Sequence, residues 1–249
     1  MKTKLIAFAA LALVAGSAFA SSGDEQLTVS ANISINNTVD ARTCLFFWGF
    51  NWVDGESKAN IGNEQYTSSN SIDPYYFYDP QATVGGNALK NAQGNIGVNV
   101  VAGVGNNQSN DVALSSIDSS QVFAAATSVS HQDTANNSEY YSWNYATLDG
   151  NALAHAKGNV GVNIAAGVGN NQENGLAASS NKSGVLAMAT STNDQTSTGN
   201  DEMGVYDHAK LGGNALMGAQ GNIGVNLAAG VGNNQHNSLA IAVATAPLK

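Results

Sequence analysis

Asparagine and glutamine side chains recur at fixed spacing in three stretches of the chain, 94–108, 158–172 and 221–235. The stretches read GNIGVNVVAGVGNNQ, GNVGVNIAAGVGNNQ and GNIGVNLAAGVGNNQ. A primary amide both donates and accepts hydrogen bonds, so identical amides placed above one another can bond along a column. A catalytic constellation is needed only once in a chain. Three copies therefore indicate units that pack against one another rather than an active site.

Stacking the three stretches in register would place identical side chains over one another at about 4.7–4.8 Å, the spacing of hydrogen-bonded strands. Asn99 would lie over Asn163 and Asn226, whereas a column of Asp or Lys would repel, and the third unit contains neither. We predict that the shared residues form a self-assembly core: Asn95, Val98, Asn99, Asn106, Asn107, Gln108, Asn159, Val162, Asn163, Asn170, Asn171, Gln172, Asn222, Val225, Asn226, Asn233, Asn234 and Gln235.

Other chemistry has weaker support in the sequence. The four histidines, His131, His155, His208 and His236, have no short His-x-x-x-His spacing, and the glycine-rich repeats have Asn where calcium-binding β-rolls need Asp. No phosphate-binding loop, nucleophile elbow or cysteine pair is present. We therefore predict no enzyme activity, no metal site and no cofactor. Cys44 is the single cysteine, which leaves an inert thiol or an intermolecular bridge as alternatives.

The first twenty residues have the layout of a secretory signal peptide. Lys2 and Lys4 precede an apolar run, and Ala18-Phe19-Ala20 forms a cleavage site. The mature chain is predicted to pass through the periplasm and to be secreted or held at the cell surface. The whole chain has 18 acidic and 9 basic residues, and cleavage removes two lysines. This acidic balance argues against nucleic acid as a partner.

Each repeated stretch predicts two strands joined by a turn. In residues 95–100 the apolar Ile96, Val98 and Val100 alternate with Asn and Gly, which is the period-two pattern of a β-strand. The Gly-Asn run at 103–107 suits a turn, and a second strand follows through residues 108–114. Glycine at this density disfavours a helix by about 1 kcal/mol per position. Residues 87–93 are also predicted to form a strand.

The three units fit an all-β fold, a β-solenoid-like stack of three imperfect repeats with variable loops and an aromatic N-terminal cap. Similarity between residues 122–128 and 185–191 extends the period to about 63 residues. Aromatic residues concentrate at 44–52 and 74–78. The predicted division is signal peptide 1–20, aromatic N-terminal segment 21–84, repeats 85–114, 149–178 and 212–241, polar linkers 115–148 and 179–211, and tail 242–249.

The phrase G-N-x-G-V-N-x-A-A-G-x-x-N-x-Q in three copies behind a signal peptide resembles the Fap fibril subunits, the functional amyloids of bacterial biofilms. The resemblance covers residues 85–245 and implies export through an outer-membrane secretion channel and polymerisation into extracellular cross-β fibrils, with itself and related fibril subunits as partners. It also implies that the repeated Gly, Asn and Gln positions form the amyloid core. The chain lacks the Cys-x-x-Cys pair of the major subunit, which leaves major or minor subunit open.

A second hypothesis is a monomeric cell-surface repeat adhesin or binding protein. Its working surfaces would be the variable linkers and the aromatic N-terminal segment, because loops often carry binding functions. The two hypotheses predict different effects of substitutions in the repeats. For a fibril, Asn226→Asp should hinder assembly, whereas Asn193→Asp in a solvated linker should have little effect.

Overall fold

The computed structural model describes residues 11–16, 29–45, 51–72, 79–118, 122–184 and 186–245. Every regular element in these ranges is a β-strand, as predicted. None of the described residues forms a helix that could span a membrane. The strands are β1 Leu11–Gly16, β2 Val29–Leu45, β3 Asn51–Ser68, β4 Ser71–Ile72, β5 Gln81–Val84, β6 Gln93–Val104, β7 Asn107–Ile117, β8 Val122–Ala135, β9 Ser138–Tyr140, β10 Trp143–Leu148, β11 Lys157–Val168, β12 Asn171–Asn181, β13 Ala187–Thr198, β14 Asp201–Met203, β15 Tyr206–Leu211, β16 Gln220–Ala229 and β17 Asn234–Ala244.

The strands form parallel stacks that cross three successive segments of the chain. Layer one (51–117) contains β3 to β7, layer two (122–181) contains β8 to β12, and layer three (187–244) contains β13 to β17. Each strand of layer two pairs in parallel with its counterparts in the other two layers. The predicted register is confirmed: Val160 lies opposite both Ile96 and Ile223.

Within each layer, four of the five strands pack against one another through their side chains. The β6–β11–β16 sheet has an apolar face that packs against the β5–β10–β15 sheet and the turns, with Val98, Leu148 and Ile164 in the shared core. Its polar face packs against the β7–β12–β17 sheet. That sheet in turn packs against β3–β8–β13 through small residues such as Ala113, Ala126 and Ala177. β11 lies between two sheets, and it is therefore buried along almost its whole length.

The strand predicted at 87–93 is wrong, because residues 86–91 form a turn and β6 begins at Gln93. Leu89 and Asn91 have positive φ angles of 53° and 61°, which an extended strand does not contain. The turn is closed by local hydrogen bonds, such as that from the Ala88 amide to the Gly85 carbonyl at 3.2 Å. Alanine and leucine in this stretch pack onto the apolar core without adopting strand geometry.

The polar segments predicted as variable loops also contain strands. Residues 122–135 form β8 and residues 187–198 form β13, and these two strands pair in register over twelve positions. Their charge and polarity reflect a sheet with one face toward solvent, since alternate residues of β8 are buried. Asn193 therefore lies in a strand and is half-buried, rather than in a solvated loop.

At the layer-one end, two N-terminal strands add to the stacks. β1 pairs in parallel with β6, and β2 pairs antiparallel with β3. β2 covers the outer edge of layer one, and Cys44 lies opposite Trp52 in this hairpin, while the aromatic N-terminal cap stays a prediction. Residues 46–50 and 73–78, which include most of the aromatic residues assigned to the cap, and the predicted cleavage site at 18–20 lie outside the described residues.

Candidate self-assembly interface

The layer-three end of the stack is open. Among the described strands, β13, β14, β15, β16 and β17 are each the last of their sheet, so one backbone edge of each has no described strand beside it. Side chains at this end are more exposed than their equivalents in layer two. Ile223 is 38% exposed and Leu227 41%, whereas the equivalent Val160 and Ile164 are 1% and 0% exposed. An exposed parallel edge with apolar side chains is a template for another strand.

The structure brings the predicted core residues together as six three-residue columns. Five of the columns follow directly from strand pairing, and the sixth, which begins at Asn106, is joined by amide hydrogen bonds beside the strands. The columns are Asn95–Asn159–Asn222, Val98–Val162–Val225, Asn99–Asn163–Asn226, Asn106–Asn170–Asn233, Asn107–Asn171–Asn234 and Gln108–Gln172–Gln235.

The amides in these columns hydrogen-bond from layer to layer. Asn163 donates from Nδ2 to Oδ1 of Asn99 at 3.0 Å, and Asn226 donates to Oδ1 of Asn163 at 2.9 Å. Gln172 accepts from Nε2 of Gln108 at 2.6 Å and donates to Oε1 of Gln235 at 3.0 Å. Asn163 and Gln172 are fully buried. Each internal amide thus satisfies the requirement that a buried polar group be hydrogen-bonded.

The predicted core leaves out four further amide columns. Two of them, which begin at Gln65 and Asn70, belong largely to the segments that were predicted as linkers. The signal was available, because Asn137 and Asn200 are 63 residues apart, as the repeats are. The missed columns are Asn110–Asn174–Asn237, Gln65–Gln132–Gln195, Asn70–Asn137–Asn200 and Asn87–Asn151–Asn214.

The columns have a direction. In the Asn99 column the side-chain donors point from layer three toward layer one, and the Asn106 and Asn110 columns run the same way. The Asn107 and Gln108 columns run in the opposite direction. Each end of the stack therefore presents a fixed pattern of unused amide donors and acceptors, and the two patterns are complementary.

Glycine allows the two central sheets to approach each other. Asn174 donates from Nδ2 to Oδ1 of Asn163 across this interface at 2.8 Å. A Cβ atom at Gly161 would overlap Oδ1 of Asn110 and lie 3.1 Å from Cβ of Asn174. Gly97 and Gly224 occupy the equivalent positions in the other layers. The glycine column is thus required by the asparagine column that it faces.

Two buried carboxyl groups, one in layer one and one in layer two, interact across the boundary between these layers. Asp111 in β7 accepts from Nδ2 of Asn63 at 3.2 Å, and Glu173 in β12 is 1% exposed with no hydrogen-bond partner for either oxygen apart from the neighbouring Asp111. Burial raises the pKa of Asp111 to about 6 and that of Glu173 to about 8, where the nearby Asp111 carboxylate adds to the rise. The repeats therefore do contain charge-bearing groups, in separate columns: Asp111 lies opposite Gly175, and Glu173 opposite Ser109 and His236.

A second acidic cluster joins layers two and three. Glu139 is fully buried and accepts from Oγ of Ser142 at 2.5 Å and from Nδ2 of Asn144 at 2.8 Å. The same Asn144 amide donates to Asp207 at 2.7 Å. Burial raises the pKa of Glu139 and of Glu202, and the Asp207 charge raises both further.

Within the described ranges, no group of three or more side chains has the geometry to hold a metal ion.

Comparison with known proteins assigns the family. The family model described as "Functional amyloid protein FapB/FapC family" matches residues 58–244, which include nearly all of the three layers. The chain belongs to the FapB/FapC family. The match begins in β3 and ends in β17, so the segments predicted as linkers lie inside the family region together with the repeats.

One relative in the FapB/FapC family is the functional amyloid subunit FapC of Pseudomonas aeruginosa. It is 38% identical to the chain over 161 residues, which are 62% of this chain and 46% of the relative. The aligned part thus spans less than half the length of that relative. No solved structure shows a significant match.

Proposed function

We propose that the mature chain is a secreted fibril subunit that polymerises into extracellular cross-β fibrils of a biofilm matrix. The observation that carries this proposal is the open layer-three end, where nine amide columns and a set of apolar side chains have no further neighbour among the described residues. The most complementary surface for that end is layer one of a second copy, which repeats the same side chains in the same order. Membership of a functional amyloid family supports the proposal.

In the fibril, each copy would add three layers to a continuous β-solenoid-like stack. The eighteen predicted core residues would then form columns along the whole fibre, and the divisions 85–114, 149–178 and 212–241 would be its most strongly repeated parts. Docking would cover Ile223 and Leu227, and full burial of an aliphatic side chain contributes about 1.5–3 kcal/mol. Backbone pairing of five strands adds to this gain.

The layer-one end must be accessible for addition. β1 lies within residues 1–20, so cleavage of the proposed signal peptide would uncover the outer edge of β6. β2 covers the outer edge of β3, and we propose that it leaves this position when β13 of another copy pairs there. Among the described strands, β5 and β7 end their sheets and need no such release. We further propose passage through the periplasm and an outer-membrane channel, related fibril subunits as partners, and no catalytic role.

Fibre formation by the purified mature chain tests the proposal. We expect a lag, then thioflavin-positive fibres that diffract at about 4.7–4.8 Å and about 10 Å. The control is the same chain kept below the concentration at which fibres appear, analysed for mass by light scattering. A chain that stayed monomeric for days at high concentration, with or without preformed seeds, would contradict the proposal.

An exposed aromatic row favours the second candidate, a monomeric surface adhesin. Trp143 and Tyr206 lie next to each other on the outer face of β10 and β15, with ring centroids 5.9 Å apart, and both are at least half exposed. Tyr145 and His208 continue the row. A monodisperse chain that binds a glycan array through these rings, and loses binding with Trp143→Ala, would support this candidate instead.

A further inference from the structure

The two ends of the stack carry unlike ionisable side chains on the same pair of sheets. β7 is the outermost strand of its sheet at the layer-one end and holds the buried Asp111. β17 is the outermost strand at the layer-three end and holds His236, which is exposed. Asp111 and His236 lie on the face of this sheet that is directed toward β3, β8 and β13, because Asp111 bonds to Asn63 of β3 and Glu173, the Cα partner of His236, packs next to Ser191 of β13.

Within its own chain, His236 has a neighbouring layer only on the side of layer two. Below it lies Glu173, its partner in β12, whose carboxyl group interacts with Asp111 one layer further down. Ser109 occupies the same column in layer one. From the adjoining sheet, Gln132 donates from Nε2 to Oγ of Ser109 in this column, and Ser191 lies beside Gly175 in the next column. Above His236, the described part of the chain supplies no further strand.

We propose that His236 is the residue that matches the layer-three end to layer one of a second copy, an inference that rests on the proposed function. When β7 of the incoming copy pairs with β17, Ser109 of that copy lies over His236 and its Asp111 lies two residues further along the same face. The imidazole of His236 then sits between the Glu173 carboxyl of its own chain and the Asp111 carboxyl of the incoming one. A hydrogen-bonding or cationic ring thus separates two acids that would otherwise face each other across the junction.

This arrangement favours one docking mode over its competitors. Meeting of two layer-one ends would place Asp111 near Asp111, and like charges brought together across an interface are unfavourable. A shift of register by one residue would turn Asp111 of the incoming β7 to the opposite face of the sheet, away from His236, whose own face is fixed by the pairing of β17 with β12. His236 and Asp111 would therefore determine both the polarity and the register of addition.

The test measures the concentration of soluble chain left when fibre growth has stopped at pH 7. We expect His236→Glu to raise this concentration about tenfold or more, because three carboxyl groups would then meet at each junction. His208→Glu is the matched control: His208 is also an exposed layer-three histidine, but it stands on the outer face of β15 beside Tyr145. We expect its effect to stay within about twofold, the size of a screened surface charge.

A double variant distinguishes a specific charge effect at the junction from a general folding defect caused by His236→Glu. Asp111→Asn combined with His236→Glu removes one of the three acids, and we expect it to recover most of the loss even if the single His236→Glu variant forms no fibres. Equal values for His236→Glu and His208→Glu, or no recovery in the double variant, would overturn the inference while leaving the fibril proposal intact. Absence of fibres from the unmodified mature chain would instead overturn the fibril proposal itself.

Discussion

At the scale of single residues, the stack depends on side chains that can bond to copies of themselves. Asparagine and glutamine meet this requirement because each carries a donor and an acceptor, so a column of any length is satisfied internally. Asn226 uses its Nδ2 group twice, toward Oδ1 of Asn163 at 2.9 Å and toward the carbonyl of Glu173 at 2.7 Å. An aspartate in such a column has no donor when ionised and faces two acceptors.

Asn226→Asp is therefore expected to slow assembly severalfold or more, measured as the lag before thioflavin fluorescence rises. Asn226 is only 5% exposed, and an unpaired buried carboxylate is costly. Asn193 is no longer the appropriate control, since it lies half-buried in β13. Asn136→Asp replaces it, because Asn136 is exposed in the turn between β8 and β9, and its lag should equal that of the unmodified chain. Equal delays from both substitutions would contradict a packed amide core.

The pair of Asp111 and Glu173 predicts a dependence of stability on pH. Both pKa values are raised in the folded stack, from 3.8 to about 6 and from 4.5 to about 8, so the folded state holds more protons than the unfolded chain between these values. Stability is full below the unfolded pKa values and is lost as the pH rises through about 4 to 8. The denaturant midpoint should accordingly be lower at pH 8.5 than at pH 4.5.

Glu173→Gln should remove much of this dependence and raise the midpoint at pH 8.5, since a neutral amide can donate to Asp111 and has no charge to desolvate. The exposed Glu64 provides the control, because Glu64→Gln removes the same charge from a solvated position. A midpoint that falls equally steeply with pH in Glu173→Gln and in the unmodified chain would contradict burial of this pair in the folded chain.

At the scale of elements, close approach of two sheets limits what each strand can carry. The Gly97, Gly161 and Gly224 column leaves room for asparagines of the facing sheet, and Gly161 lies in the most enclosed layer. Gly161→Ala is expected to push β11 and β12 apart and to lower the denaturant midpoint clearly, by analogy with overpacked cores that lose about 1–3 kcal/mol. Removing the obstruction with Asn110→Ala in the same chain should restore part of the loss. A Gly161→Ala chain of unchanged midpoint would mean that the two sheets are not in contact.

The strands that sequence reasoning found were those with alternation between glycine or asparagine and β-branched residues. β6 and β7, with their equivalents, have this pattern and were predicted with the correct register. β8 and β13 were missed because one face is solvated and their polar residues resemble a loop, although the 63-residue offset was present in both. The turn at 86–91 was missed because Leu89 and Leu153 adopt positive φ angles in contact with the core, and no local residue preference reveals this.

The columns could be predicted, but the acidic pairs could not. Identical residues at a constant offset identify Asn99, Asn163 and Asn226 as neighbours without any structure. Asp111 and Glu173 differ in residue type and in position within the period, so their proximity depends on the packing of β7 and β12 against the third sheet. The same applies to Glu139 and Asp207, which are joined through one asparagine amide.

At the scale of the whole molecule, each copy contributes three layers to the proposed fibre. The axial rise per copy is thus expected to be about 14 Å, three times the strand spacing of about 4.8 Å. Helical reconstruction from electron micrographs measures this value directly. Because layers one, two and three differ in side chains, a weak meridional reflection at the longer spacing should accompany the strong one. A rise of about 4.8 Å per copy would mean that each chain lies in a single layer, which contradicts the layered arrangement.

Layer two meets both of its neighbours through the same set of residues, and this has a consequence for the gene. A tandem duplication or deletion of one period would insert or remove a layer whose upper and lower edges match those on either side. Chain length could then change during evolution in steps of about 63 residues without disturbing any remaining contact. Drift within one copy of the period is more constrained, because a substitution in a column alters the surroundings of the neighbouring copies, so column positions should diverge slowly and together while outward-facing positions diverge freely.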